Sequence, residues 1–490
     1  MEKINVFWFK RDLRLQDNPT LNAALRQPEP LLLLYVFEPS LFEDAHYDKR
    51  HWQFVAESLV DLNTELRKYN TKILQVTSEV KPCFERLQQS FCINTVFSTE
   101  ETGLKITYDR DLELFSFFKN AGITWREFQN NGVVRGLSSR QGWSDKWYRY
   151  MTARIEILDF KNTDVLSYDF VQNFQEQCSS FSGVDTQSNH KFQKGGREEA
   201  LKWKASFFNE RLQFYNQYIS KPNLSRYGCS RLSPYIAWGN LSIREVYQEV
   251  RNLKPDSPYK RQLNAFASRL RWQSHFIQKF EMEPRMEFEP VNKGFLQLSQ
   301  PARPDYVAAW KQAKTGYPLV DASLRCVVET GYINFRMRAM VTSFLTHHLF
   351  QNFTTGSSWL AKQFLDFEPG IHYGQFQMQA GFTGTNTVRV YNPTKNAHEH
   401  DTDATFITKY VPELSSLPSN LAIEPWKVTP LESQLYDFQY GKDYPERIVD
   451  IQETRKVAVT KLYAQRKSTL AQSERRRILD RHTITRETNE

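Results

Sequence analysis

Unbroken apolar runs alternate with amphipathic segments over the first 130 residues. INVFWF at residues 4–9 and PLLLLYVF at residues 30–37 are typical of strands buried on both faces. Between such runs, segments such as HWQFVAESLVDLNTELRKYN have helical spacing, and the pair Asn18–Pro19 indicates a helix start. This alternation predicts an α/β domain over residues 1–130, with a doubly wound parallel sheet covered by helices. The chain has no G-x-G-x-x-G motif, so the usual dinucleotide fingerprint is absent.

The composition and the periodicity of the sequence change twice after residue 130. Residues 131–195 are polar and largely without periodicity, which predicts an inter-domain linker with one short helix at residues 144–160. Residues 196–452 have helical spacing almost throughout and predict an all-α domain. Residues 453–490 are rich in Lys and Arg, which predicts an exposed basic helix that either contacts DNA or, more simply, faces solvent.

The stretch from residue 314 to residue 393 combines an apolar helix pattern with dense polar groups. Its first half predicts one long helix, or two helices broken near Gly331. Arg338 interrupts the apolar positions and must find an anionic partner or reach water. Asp366, Glu368 and His372 follow close together, which indicates either a cavity for a flat polar ligand or a solvated helix-capping loop. Composition alone favours neither interpretation.

Two further segments carry candidate binding chemistry. The turn Gly-Cys-Ser-Arg-Leu-Ser before Pro234 suits a phosphate group, although a serine helix cap followed by proline is an equally ordinary explanation. In the helix at residues 261–281, Arg269 and Arg271 lie close to Trp272. Cations for phosphates beside an aromatic ring for base stacking suit a surface that contacts DNA. The alternative is that Trp272 and Phe276 are core partners one helical turn apart.

Composition narrows the class of protein. The formal charge of +8 favours a polyanionic partner, and the aromatic content of 14% suits a large aromatic ligand or a large aromatic core. The five cysteines are scattered without C-x-x-C spacing, so neither disulfides nor a metal site are predicted and a reducing cytoplasm is the expected compartment. An apolar run of 18 residues is absent, so no membrane association is expected.

In order and spacing, several motifs together resemble the cryptochrome/DNA photolyase family over nearly the whole chain. They are WFKRDLRLQDNP, GCSRLSP, TGYPLVD, NFRMR, DFEPG, GTNT, YNP and YPERIVD. The resemblance implies an N-terminal α/β domain followed by an all-α domain that holds FAD in a bent shape. In some relatives the first domain also holds an antenna chromophore, a folate or a deazaflavin. A plain sheet without a chromophore is the alternative here.

The resemblance also implies which residues bind the cofactor. They are Tyr218, Cys229, Ser230, Arg231, Leu232, Ser233, Trp272, Arg338, Asp366, Phe367, Glu368 and His372. Three of these are assigned catalytic roles. Arg338, paired with Asp366, would stabilise the anionic N1 of reduced flavin. His372 would lie beside flavin N5, which leads to the hypothesis that its titration makes the flavin potential pH-dependent.

DNA contacts are implied in the same way, and the chain departs from the family pattern at several of them. The implied residues are Phe266, Arg269, Trp272, Gln273, Phe335, Arg336 and Asn396. Arg269 replaces a family Glu, Phe266 a Trp, and Phe335 an Asn. The family's electron-relay tryptophans correspond to Phe376, Phe353 and roughly Gln300. Electrons must therefore pass through Tyr373, Trp359 or Trp310, or come from a chemical reductant.

These interpretations lead to one expected function and two alternatives. The expected protein is a monomeric, cytoplasmic, FAD-dependent deoxyribodipyrimidine photo-lyase, a carbon–carbon lyase that uses light to split pyrimidine dimers in damaged DNA. The first alternative is a cryptochrome-like blue-light photoreceptor without repair activity. The second is a flavin-free scaffold that binds DNA through its charge.

Overall fold

The structure, a computed structural model, describes residues 1–160, 163–179, 181 and 191–483. It begins with a five-stranded sheet in the order β3-β2-β1-β4-β5, in which every neighbouring pair is parallel. Val6 in the central strand is paired with Leu32 on one side and with Val96 on the other, and all three are buried. The strands are β1 (Glu2–Phe9), β2 (Leu31–Phe37), β3 (Leu74–Thr77), β4 (Phe91–Thr99) and β5 (Thr124–Phe128). The predicted parallel α/β sheet is confirmed.

Helices flank this sheet, and all but the short one at residues 39–43 lie in segments that were predicted to be helical. They are α1 (Pro19–Leu25), α2 (Pro39–Glu43), α3 (Lys49–Leu66), α4 (Val80–Ser90) and α5 (Lys105–Asn120). The predicted start of α1 is confirmed, because the Asn18 side chain accepts a hydrogen bond from the Leu21 backbone N–H at 3.1 Å. Such a cap satisfies one of the otherwise unpaired N–H groups of the first turn.

The segment predicted as a linker contains two helices, α6 (Trp143–Thr152) and α7 (Tyr168–Glu176). Trp143 and Trp147 are 1% exposed, and Val165 forms a bridge with Leu31 at the start of β2. Much of this polar segment therefore packs against the core, and the helix predicted for residues 144–160 ends at residue 152. The part of the prediction that falls on residues 161–162, 180 and 182–190 lies outside the described residues.

The rest of the chain is helical, as predicted. The helices up to residue 436 are α8 (Arg197–Ser206), α9 (Tyr215–Tyr218), α10 (Ser225–Gly228), α11 (Ser233–Ala237), α12 (Ile243–Leu253), α13 (Lys260–Met282), α14 (Pro304–Lys311), α15 (Pro318–Thr330), α16 (Phe335–Ser343), α17 (Thr354–Gln363), α18 (Pro369–Gln379), α19 (Pro393–His400), α20 (Thr405–Tyr410), α21 (Ser419–Ile423) and α22 (Pro430–Tyr436). Gly331, with φ of 71°, ends α15, so the predicted break at this glycine is confirmed. None of the described helices is long and apolar enough to cross a membrane.

A buried ion pair joins the sheet domain to the helical domain. Asp17, in the loop after β1, accepts hydrogen bonds from Ser242 Oγ at 2.5 Å and from Arg244 Nε at 3.0 Å. Both members of the Asp17–Arg244 pair are almost completely buried. Because an unpaired charge at such a depth is strongly unfavourable, this contact fixes the loop to the start of α12.

Two glycines bring α18 into close contact with α13. A Cβ atom at Gly370 would lie 2.6 Å from Ile277 Cα, and one at Gly374 would lie 2.7 Å from the Phe276 ring. The two positions are four residues apart and so lie on the same side of the helix. The helix that carries His372 is thereby held against α13 by its backbone.

The basic C-terminal segment is docked along one side, where the prediction had a solvated helix, and the part of that prediction at residues 484–490 lies outside the described residues. It forms α23 (Ile451–Arg466) and α24 (Thr469–His482), in which Leu462 and Ile478 are buried. Glu283, at the end of α13, pairs with Arg477 and also lies 3.2 Å from His482 Nε2 and 3.6 Å from Arg481 Nη1. Basic residues of this segment therefore attach it to the helical domain.

Candidate functional site

Helices α16, α17 and α18 enclose a narrow cavity, here named the α16–α18 cavity. Its lining includes residues predicted to bind the cofactor, namely Arg338, Asp366, Phe367, Glu368 and His372. Ala339, Thr342, Gln375 and Gln379 complete its polar and small surfaces. The structure thus brings together a set of side chains that sequence motifs had grouped by resemblance alone.

Arg338 and Asp366 form an ion pair at the edge of this cavity. Nη2 of Arg338 donates to both Asp366 oxygens, at 2.8 and 3.0 Å, and Nε donates to the Ile333 carbonyl at 3.0 Å. The guanidinium also lies 3.9 Å from the centre of the Phe364 ring. The Asp366 side chain is 5% exposed and that of Arg338 is 21% exposed. The Arg338 guanidinium is therefore partly open to the cavity, and the Asp366 carboxylate balances its charge.

The surroundings of His372 favour a neutral imidazole, which argues against the hypothesis that its titration makes the flavin potential pH-dependent. Burial lowers the pKa of His372 to about 3. Its Nε2 lies 2.9 Å from the Ser357 carbonyl oxygen, and because a carbonyl only accepts, Nε2 carries the proton. Nδ1 is then an acceptor.

Glu368 lies between two cavities. It lines the α16–α18 cavity and also a cleft between the domains, next to Arg11 and Glu101. Burial raises the pKa of Glu368 to about 7, although the charge of Arg11 opposes the shift. Burial therefore favours the protonated form of this carboxyl more than at an exposed glutamate.

The turn at residues 229–233 is braced from behind by Arg211. The guanidinium of Arg211 donates to the carbonyls of Tyr227 at 3.0 Å and Ser230 at 3.2 Å, and also to that of Cys229. Arg231, at the centre of the turn, has a positive φ of 60°. Leu232 packs in the core, Ser230 is half-buried, and Ser233 is exposed at the start of α11. Burial raises the pKa of the Cys229 thiol to about 11, so the sulfur stays protonated.

One tyrosine connects the turn to the α16–α18 cavity. The Tyr332 ring centre lies 3.9 Å from the Arg231 guanidinium and 6.0 Å from that of Arg338. Sequence reasoning missed Tyr332, although it lies only two residues before the NFRMR motif. Tyr218, which is also predicted to bind the cofactor, packs directly against Gly228. A Cβ atom added at Gly228 would lie only 2.8 Å from the Tyr218 side chain.

Some of the residues that were predicted to contact DNA lie at the surface, and one lies in the core. On α13 and α16, Trp272 and Phe335 are 45% and 43% exposed, Arg269 is exposed and Gln273 is partly exposed. Phe266 is only 5% exposed and packs edge-on against the Phe207 ring at 4.9 Å. The assignment of Phe266 to DNA is therefore wrong in this geometry, because a buried ring cannot stack on a base.

A cavity of about 710 Å³, here named the basic cavity, lies on the other side of α16. Arg336 and Asn396, both predicted to contact DNA, are part of its wall. The remaining charged residues of the wall are Arg389, Lys395, Glu399, Arg455 and Lys456. His348 adds no charge at neutral pH, since burial lowers its pKa to about 4. Sequence reasoning missed these four extra cations, although Arg389 lies within RVYNP, Lys395 follows it in α19, and Arg455 and Lys456 lie in the basic tail.

The donor set around the α16–α18 cavity fits a flavin nucleotide. Arg338 offers a cation for an electron-rich ring, and His372 offers a neutral acceptor. Towards the turn, Nε of Arg231 is buried without a partner among the described residues, which suits an anionic group. These groups are the ones that would hold the ring and the diphosphate.

Carboxylates and cations fill the carboxyl edge of the sheet, where an antenna chromophore was an open expectation. Arg110 pairs with Glu38 and Glu101, each at 2.7 Å, and Lys10 pairs with Asp111 at 2.9 Å. A ligand there would have to replace or add to these pairs. A second chromophore stays a prediction.

Comparison with known proteins gives two family matches that together cover more than half of the chain. The model described as "DNA photolyase" matches residues 5–157, and "FAD binding domain of DNA photolyase" matches residues 266–464. A deoxyribodipyrimidine photo-lyase of Alkalihalophilus pseudofirmus is 25% identical, over 94% of this chain and 98% of that protein. A cryptochrome DASH of Natronomonas pharaonis is 24% identical, over 91% of this chain and 98% of that protein.

The fold is shared with a solved cryptochrome of Synechocystis, at a TM-score of 0.83 and 20% sequence identity. That similarity covers 94% of this chain and 99% of the other. The relatives thus include both photolyases and cryptochromes. The chain belongs to the cryptochrome/DNA photolyase family, as a distant member with a parallel α/β domain followed by a helical FAD-binding domain.

Proposed function

We propose that this protein is a light-driven DNA photolyase that binds FAD and splits pyrimidine dimers in damaged DNA. The observation that carries the proposal is the position of the basic cavity. Helix α16 borders both cavities, with Arg336 in the wall of the basic cavity and Arg338 in that of the α16–α18 cavity. A groove of cations beside a flavin site is the arrangement that lets a DNA backbone present a lesion to the cofactor.

In this proposal each residue has a distinct task. Bound FAD would supply light-driven one-electron chemistry. Arg338 and Asp366 would hold the ring and balance its charge, and the turn at residues 229–233 would hold the diphosphate. Arg336 and the other cations of the basic cavity would bind phosphates, while the exposed rings of Trp272 and Phe335 would contact the unstacked lesion.

A repair assay tests this function. Protein with chemically reduced flavin is mixed with oligonucleotides that carry either a cyclobutane dimer or a 6-4 photoproduct, and is then illuminated or kept dark. We expect light-dependent loss of one lesion, slowed by Arg336→Gln but not by Arg303→Gln, which removes an exposed arginine paired with Asp305. Bound FAD without repair of either lesion would favour the cryptochrome-like photoreceptor. A colourless protein would support the flavin-free scaffold.

DNA affinity should depend on the basic cavity. Arg389→Gln combined with Lys456→Gln removes two exposed cations from its wall. If each contacts one phosphate, the slope of log affinity against log salt should fall by about 0.9 per lost contact. Fluorescence anisotropy at several salt concentrations measures this slope. Lys119→Gln, on the exposed side of α5, is the control, and an equal change in that variant would contradict the assignment.

The flavin potential should not follow the titration of His372. Since burial lowers the pKa of His372 to about 3, its ring stays neutral from pH 5.5 to 8. We expect His372→Gln to shift the midpoint potential by the same amount at every pH in that range. Spectroelectrochemical titration of the two proteins checks this expectation. A break in slope that occurs only in the unsubstituted protein would show instead that His372 titrates there.

A second chromophore can be tested independently of repair. Acid extraction of the purified protein followed by chromatography separates FAD from a folate or a deazaflavin. A single flavin peak would favour the plain sheet with its internal ion pairs.

A further inference from the structure

Tyr373 lies on α18 next to the cavity residue His372 and points away from the cavity into the core. Its ring is 2% exposed and lies 5.4 Å from the His372 ring, at an angle of 87°. The lining of the α16–α18 cavity includes phenylalanines but neither tryptophan nor tyrosine. Tyr373 does not line the cavity itself, and the ring of His372 separates it from the cavity.

Tyr373 is the first member of a hydrogen-bonded chain of three side chains. Its hydroxyl lies 2.5 Å from His46 Nε2, and His46 Nδ1 lies 2.7 Å from Asp44 Oδ1. Because an ionised carboxylate only accepts, Nδ1 carries a proton, and in the neutral ring Nε2 then accepts from the phenol. The His46 backbone N–H also donates to Asp44 Oδ1, at 2.9 Å, which fixes the carboxylate. The base is thus aimed at the phenol in the tautomer that can take its proton.

The charges around this chain suit a proton transfer. Burial would raise the pKa of Asp44, but its hydrogen bonds with His46 outweigh that effect and lower the pKa overall. Asp44 is therefore ionised and would balance an imidazolium at His46. Burial raises the pKa of Tyr373 far above its usual value, so the phenol keeps its proton until it is oxidised. An oxidised phenol is a strong acid, and a base already in contact makes the loss of its electron easier.

Tyr332, the other tyrosine near the cavity, has the opposite surroundings. Besides Arg231 and Arg338, the guanidinium of Arg226 lies 5.8 Å from its ring centre. Positive charges at these distances disfavour the removal of an electron from the ring. The electrostatics therefore favour Tyr373 over Tyr332 as a donor.

We propose that Tyr373 supplies an electron towards the flavin site and that His46 takes its proton, so that the chain Tyr373–His46–Asp44 replaces the missing tryptophan relay. This inference rests on the proposed FAD binding. In the step, Tyr373 would give up one electron towards the flavin site, where light-excited oxidised flavin would be the acceptor. The phenol O–H bond breaks, an N–H bond forms at His46 Nε2, and the new positive charge is balanced by Asp44. The return of the electron and the proton restores the starting state.

Flash photolysis of the purified protein with oxidised FAD tests the relay. The readout is the radical itself, trapped by freezing and identified by electron paramagnetic resonance with ring-deuterated tyrosine. We expect a tyrosyl radical that forms more slowly in D₂O and is lost in Tyr373→Phe. We also expect its loss in His46→Gln, which keeps the tyrosine and removes the base. Tyr463→Phe, on α23, is the matched control and should keep the signal.

The outcomes separate the relay from the proposed function. Loss of the signal in Tyr332→Phe with its retention in Tyr373→Phe would overturn the relay, as would a tryptophan radical in its place. Tyr373→Phe with chemically reduced flavin should still repair DNA, because chemical reduction bypasses the donor. A relay that works in a protein without repair activity would refute only the photolyase assignment. Absence of bound flavin would overturn both.

Discussion

Replacing Asp366 with asparagine is expected to lower the free energy of unfolding by about 2–4 kcal/mol, because it leaves a mostly buried guanidinium without its counter-charge. The lower part of that range reflects the exposed fifth of the Arg338 side chain. Asparagine can still accept one hydrogen bond, yet it cannot neutralise the cation. In the proposed holoprotein the same change should release FAD, since the ring would lose the carboxylate that orients Arg338. Chemical denaturation and flavin absorbance after gel filtration measure the two effects.

A double variant separates charge balance from cofactor binding. Arg338→Met combined with Asp366→Asn removes both charges and should recover much of the stability, as buried pairs often do when replaced together. It should not recover flavin. Asp305→Asn, which breaks the exposed pair with Arg303, is the control and should leave both measurements nearly unchanged. Equal stability of the single and double variants would show that the pair does not act as a unit.

Replacing Glu283 with glutamine is expected to undock α24 and to lower the free energy of unfolding by about 2–3 kcal/mol. Burial would raise the pKa of Glu283, but its hydrogen bonds with His482 and Arg477 outweigh this and lower the pKa to about 2. The folded state thus binds fewer protons than the unfolded state, in which the carboxyl has a pKa near 4.5. The stabilisation is present above pH 4.5 and is lost as the pH falls towards 2.

Thermal unfolding and limited proteolysis test this contact across pH. At pH 7 the Glu283→Gln variant should be cleaved near residue 467, between α23 and α24, faster than the unsubstituted protein. The difference in stability should shrink as both proteins are acidified through the window from 4.5 to 2. Glu43→Gln, at an exposed site on α2, controls for the loss of one negative charge. A difference in stability that persists unchanged at pH 2 would show that the ionised Glu283 carboxylate is not what holds α24.

Local pattern was sufficient for the sheet and for the order of the helices. β2 and residues 4–9 of β1 are buried on both faces, so apart from Asn5 their sequences are apolar and differ from the alternating pattern of half-exposed strands. The break at Gly331 followed from the need for a left-handed residue at a helix end. Resemblance then grouped Arg338 with Asp366, and the structure places them in contact.

Contacts between residues that lie far apart in the sequence could not be predicted from it. The tail looked solvated because its charges are visible in composition, whereas its partner Glu283 lies nearly 200 residues away. For the same reason Trp143 and Trp147, in a polar segment, gave no sign of their burial. The burial of Phe266 and of His372 could not be predicted for a related reason. Burial decides whether a ring can reach DNA and which protonation state of an imidazole is favoured, and it is a property of the packed chain.

The close packing of α18 on α13 has an evolutionary consequence. Gly370 and Gly374 hold one side of α18 so tightly that a change there would displace the neighbouring helix. His372, Gln375 and Gln379, on the side that lines the cavity, make no part of that contact. Gln375 and Gln379 can therefore be exchanged without disturbing the packing of α18 on α13, whereas His372 also donates to the Ser357 carbonyl. Substitution at the two glutamines can thus change the lining of the cavity while the fold is kept.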